Sequence, residues 1–66
     1  MLIKYCAVTK IGNWFNMFNT REEARDCVRR DKGGMLYGVQ VFSYRELPDL
    51  THVLISKSEI ELVTKD

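Results

Sequence analysis

Residues 19–34 read Asn-Thr-Arg-Glu-Glu-Ala-Arg-Asp-Cys-Val-Arg-Arg-Asp-Lys-Gly-Gly, and this stretch decides the fold. From Arg21 to Lys32 there is neither Gly nor Pro. Thr20 and Glu23 have the spacing of a capping box, in which each side chain satisfies a backbone N–H at a helix start. Gly33 or Gly34 is placed to take the left-handed conformation that closes a helix, and Arg29, Arg30 and Lys32 suit the negative end of its dipole. The spacing predicts a helix from residue 21 to about residue 32.

On the N-terminal side, residues 2–9 (Leu-Ile-Lys-Tyr-Cys-Ala-Val-Thr) are rich in β-branched and aromatic types and stop at Lys10-Ile11-Gly12-Asn13, a turn-forming run. Trp14-Phe15-Asn16-Met17-Phe18 follows at once, so a β-hairpin precedes the helix. On the C-terminal side, Met35 to Tyr44 reads as a strand ending near Arg45-Glu46. Leu47-Pro48-Asp49-Leu50 breaks the chain, because proline fixes φ and lacks a donor. His52 to Ser56 is a further strand. Residues 57–64 read two ways: Ile60 and Leu62 alternate with Glu59 and Glu61 as in a strand, while Ser58 and Glu61 have capping-box spacing. The strand is the expected form, bulged near Ser56 to Ser58.

The order ββαββ makes an α+β domain spanning residues 1–66, an antiparallel sheet with the helix on one face. A one-faced sheet must bury its apolar side, and this helix is the candidate within the chain. On a helical wheel Ala24, Cys27 and Val28 form one narrow apolar sector, with Arg21, Arg25, Arg29 and Lys32 as a basic stripe beside it. Glu22, Asp26 and Arg30 run alongside with i to i+4 spacing, as on a solvated face.

Three small apolar side chains cannot cover a sheet whose strands are apolar on both sides. Leu2, Cys6 and Val8 alternate with Ile3, Tyr5 and Ala7. Strict alternation likewise sets Met35, Tyr37, Val39 and Val41 against Leu36, Phe42 and Tyr44, and pairs Trp14 with Phe18 against Phe15 with Met17. One set packs under the helix; the other must meet solvent, a second copy or a partner. Large aromatic groups and Arg are enriched at interface hot spots. The candidate partner-binding residues are therefore Trp14, Phe18, Tyr37, Phe42 and Tyr44, flanked by Arg21, Arg25 and Arg29, with Tyr37 and Phe42 on opposite faces.

With 66 residues, the chain has room for one small core and little else. It is 45% hydrophobic and 29% charged, outside the signature of disorder. A formal net charge of +1 argues against a general polyanion binder, whose affinity comes from basic groups neutralising phosphates. No apolar run approaches the roughly 18 to 20 residues that span a bilayer. The opening segment carries Lys4 within its apolar stretch and no small-residue cleavage site, so a cytoplasmic protein with no membrane association is expected. Cys6 and Cys27 have no metal-ligand spacing; free buried thiols are the expectation and a single disulfide the alternative.

Catalytic patterns are missing. His52 is the only histidine and has no His, Cys or carboxylate at ligand spacing. Gly33-Gly34 follows a helix, where a phosphate-binding loop would precede one. A non-catalytic chain without cofactor or metal is expected. Lys32 to Phe42 has the basic, Gly and aromatic flavour of RNA-recognition sheets, but Met35 stands where an aromatic is needed and the order ββαββ differs from that module.

The segment Met17-Phe18-Asn19-Thr20-Arg21-Glu22-Glu23-Ala24-Arg25, together with a first strand starting at Met1, resembles in style the short accessory proteins of tailed bacteriophages. That resemblance implies a host-cytoplasmic protein that binds and modulates or inhibits a host or phage macromolecule. The expectation is a small protein-interaction module, with a homodimer through the outer sheet face as a further form. A nucleic-acid-binding module using the Arg stripe and sheet aromatics is the alternative.

Overall fold

The computed structural model describes residues 1–64. Five strands and one helix follow in the order β1 (Leu2–Thr9), β2 (Trp14–Phe18), α1 (Arg21–Arg29), β3 (Leu36–Glu46), β4 (His52–Lys57) and β5 (Glu61–Leu62). All ladders are antiparallel, in the order β2-β1-β3-β4. β5 lies against the first half of β3, on residues Gly38 and Val39. The α+β class and ββαββ order are those expected; of residues 57–64, Lys57 ends β4 and Glu61–Leu62 add a short further strand, with no helix.

Thr20 caps the helix, but the reciprocal half of the capping box is a side-chain bond to the Thr20 hydroxyl and not to its backbone N–H. Thr20 Oγ1 accepts from Glu23 N at 3.2 Å and donates to Glu23 Oε1 at 2.9 Å. The helix stops earlier than expected, with Arg30 as its C-cap instead of a glycine. The cause is Asp31, whose carboxylate accepts the Leu36 N–H at 2.8 Å and ties the helix exit to the start of β3. Gly34, with φ of +73°, serves the turn into β3 and not the helix end.

Ala24 and Val28 are fully buried against Ala7, Leu36 and Val39, with Tyr5, Phe18, Cys27 and Val63 packed around them. This is the narrow apolar sector of the wheel meeting one face of the sheet. Both cysteines are free thiols.

Bulges redistribute the side chains that strict alternation assigns. Val8 pairs Trp14 while Ala7 pairs Asn16, so Phe15 is an extra residue in β2. Trp14 therefore shares a face with Val8, Cys6 and Met17, whereas Phe18 sits opposite Tyr5 under the helix; the two aromatics are on opposite faces, not together. Likewise Val8 pairs Gly38 and Thr9 pairs Leu36, which makes Tyr37 the extra residue. Leu36 moves to the helix face and joins Val39, instead of sharing a face with Phe42 and Tyr44. A third bulge leaves Ile55 extra in β4, between Ser56 opposite Ser43 and Leu54 opposite Tyr44.

The distal half of β3 and all of β4 extend past the helix as an arm. The long axis is 43 Å and the radius of gyration 12.5 Å, against about 11 Å for a compact chain of this length. The arm turns at Leu47-Pro48-Asp49-Leu50, where Leu50 N–H donates to Leu47 O and Leu47 N–H to Thr51 O, both at 2.9 Å. Leu50 has φ of +68°, a left-handed conformation that strains a side chain with a Cβ, and is 73% exposed. Leu50→Gly removes that strain and little packing. After the added entropy of an unfolded glycine, we expect a gain of about 0.5–1 kcal/mol, read as a rise of a few degrees in thermal midpoint.

Candidate interaction face

Partners across an antiparallel ladder share a face, so the registers assemble the side of the sheet away from the helix row by row. One row crosses Trp14, Val8, Gly38 and Leu62. The next holds Met17, Cys6 and Gln40, and the third Lys4, Phe42 and Lys57. A fourth has Leu2, Tyr44 and Leu54, and β3 and β4 close the face with Glu46 and His52. From Val8 to Leu2 this surface runs for about 20 Å.

Its floor is closed by side chains. Cys6, Val8 and Phe42 are buried, and Ile60 lies over Gly38, where a Cβ would meet Ile60 Cγ2 and the Glu61 carbonyl oxygen at 2.6 Å. Its apolar rim is open: Trp14 is 53% exposed, Leu54 44% and Leu62 72%. Phe42 and Tyr44 rings lie 6.4 Å apart, and Tyr44 lies 6.3 Å from His52, whose Nε2 is 3.1 Å from Glu46 Oε2. Burial, and secondarily neighbouring Cys6, pushes the Tyr44 hydroxyl above its ordinary range, so it remains a neutral donor. Lys4 donates from Nζ to Asn19 Oδ1.

Of the residues singled out in the sequence, Trp14, Phe42 and Tyr44 share this face, with Phe42 in its floor. Phe18 packs under the helix on the opposite side. Tyr37 is partly buried at a bulge, its carbonyl accepting from Val63 N at 3.0 Å. Leu54, Leu62, Lys4 and Lys57 belong to the face and were not singled out. Only the cross-strand registers bring them there.

The helix arginines are engaged within the molecule. Glu61 binds Arg21 at 2.8 Å and Arg25 at 2.7 Å, clamping β5 to the helix. Glu22 pairs with Arg25 at 2.8 Å and Arg29 at 3.4 Å, and Asp26 with Arg29 at 3.0 Å. Arg21 also lies 5.3 Å from the centre of the Tyr5 ring. The helical pairs are thus i to i+3 and, for Glu22 with Arg29, i to i+7, together with a link to β5 forty residues from Arg21 in sequence.

Hydrogen bonds from Arg25, and then from Arg21, hold the Glu61 carboxyl below the ordinary carboxylate range against its partial desolvation. A carboxyl whose folded value is depressed contributes stability above its unfolded-state value and loses it as pH falls through the folded value. Glu61→Gln should therefore flatten the acid side of the stability profile, measured by urea unfolding at stepped pH. Glu22 and Asp49 are lowered too, so part of the slope should persist.

Between α1 and β2 an open groove of about 450 Å³ has Phe18 and Cys27 in its lining, with Asn16, Glu23, Asp26 and Arg30. Burial, reinforced by Asp31, keeps the Cys27 thiol protonated, and burial does the same for Cys6. Among the described residues no three His, Cys, Asp or Glu side chains are grouped to hold a metal ion, and no helix is long and apolar enough to cross a membrane. Comparison with protein-family models, curated proteins and solved structures finds no match for the chain.

Proposed function

We propose that the chain is a small non-catalytic interaction module of the cytoplasm that docks on a partner protein through the open sheet face. The observation that supports this is the one-sided cover: the helix buries one face, while Trp14, Leu54 and Leu62 rim the other in solvent around a closed apolar floor. An aromatic anchor beside branched aliphatic groups on a rigid sheet is the composition of an interface centre. The likeness in style to phage accessory proteins extends the reading to binding and inhibiting a host macromolecule.

Affinity capture from bacterial lysate tests it, with wild type compared against Trp14→Ser combined with Leu62→Ser. A protein retained by wild type and lost from the double variant is expected; the same retained set for both would contradict the reading. A nucleic-acid partner is favoured by one observation, the placement of Lys4 and Lys57 on either side of Phe42 on this face. Salt-dependent binding of short single-stranded RNA, weakened by Lys4→Ala and Lys57→Ala, would be its signature.

A further inference from the structure

β4 forms the outer edge of the arm, and all six of its residues are exposed, including the consecutive apolar Val53, Leu54 and Ile55. Native edges carrying such a run are normally covered or paired. The backbone phase of this edge follows from its two ends. At one end Leu47 N–H bonds Thr51 O, and at the other Ser58 N–H bonds Val41 O. Hydrogen-bonded and non-hydrogen-bonded positions alternate along an antiparallel ladder, so His52 and Lys57, each next to one of these bonds, direct their N–H and C=O groups away from β3.

His52 and Lys57 are five residues apart, an odd spacing that would put them on opposite faces and in opposite phase in a regular strand. The bulge at Ile55 restores both: they face the same side, across from Glu46 and Phe42. A bulge ordinarily twists an edge away from pairing. Here it makes the edge self-complementary. A second copy rotated by 180° about an axis normal to the sheet sets His52 against Lys57 and Val53 against Ser56, each pair on a common face, and brings Leu54 and Ile55 of both copies to the axis. Lys57 of each copy then approaches the Glu46–His52 pair of the other, which brings opposite charges together.

We propose that two copies of this chain associate through antiparallel pairing of their β4 edges, forming one continuous sheet with both helices on the same side. This dimer uses the β4 edge, where His52, Leu54 and Lys57 border the open face, and leaves Trp14 and Leu62 outside the seam, so its test is separate from that of the docking reading.

Sedimentation equilibrium of the full chain should show a reversible monomer–dimer equilibrium in the micromolar range. Leu54→Lys places two cations beside the axis, at a side chain already partly in solvent, and should weaken the dimer roughly tenfold or more while circular dichroism is unchanged. Trp14→Ser should leave the dimer intact. The register is read by cysteine pairs: Val53→Cys with Ser56→Cys should oxidise to a covalent dimer, while either substitution alone should not. A chain that stays monomeric at high concentration, a dimer indifferent to Leu54→Lys, or one lost in Trp14→Ser would overturn the proposal.

Discussion

Gly38→Ala is expected to destabilise the domain by about 1–3 kcal/mol, the range for forcing atoms into a packed site. The Cβ at this position would stand 2.6 Å from both the Glu61 carbonyl oxygen and Ile60 Cγ2, so β5 must move away from β3. That shift removes more than two ladder pairs. Glu61 carries ion pairs from the sheet to the helix, to Arg21 and Arg25, and Val63 beyond it packs on the helix-side core. A domain of 66 residues has a total stability on the order of 3–10 kcal/mol. The variant should lose a large part of it, visible as a lower urea midpoint, with early hydrogen exchange in residues 60–63. An unchanged midpoint would show that β5 is not held where Gly38 receives it.

Val28→Asp is expected to unfold the domain outright. Val28 is fully buried between the helix and the Ala7–Leu36–Val39 floor, and the described ion pairs of α1 lie on its other sides. An unpaired carboxylate there either remains charged at a cost of several kcal/mol or takes up a proton with much of the same penalty. With one narrow helix as the whole cover, the sheet has no second layer to share the loss. Circular dichroism at 25 °C should report an unfolded chain, whereas Val28→Ala, which removes methyl groups only, should leave a folded and weakened one.

Local signals other than the glycine stop of the helix match the structure, whereas faces counted along the strands do not. The Thr20 N-cap, the 2–18 hairpin, the break at Pro48 and the apolar sector of Ala24, Cys27 and Val28 each depend on neighbours within a few residues, and each has the expected form. Face assignments depend on counting along strands. One extra residue reverses every assignment beyond it, which is why Phe15, Tyr37 and Ile55 separate Trp14 from Phe18, bring Leu36 to Val39, and set His52 in phase with Lys57. The basic stripe was legible as a row of side chains on one helix, but its partner Glu61 lies on a two-residue strand far along the chain, with no periodic signal to announce it. Of the interaction face, Trp14, Phe42 and Tyr44 were within reach of pattern reading. Leu54, Leu62 and the two lysines required the registers.

Docking and β4 pairing together require that the sheet face around Trp14 stay open when copies of the chain associate, and Trp14, the single tryptophan, reports on it directly. The decisive measurement is its fluorescence emission, with acrylamide quenching, across the dilution range in which sedimentation shows association. Emission close to that of water-exposed indole and unchanged quenching from monomer to dimer are expected. A blue shift and loss of quenching that follow self-association would contradict this, showing that the face is spent on a second copy of the chain.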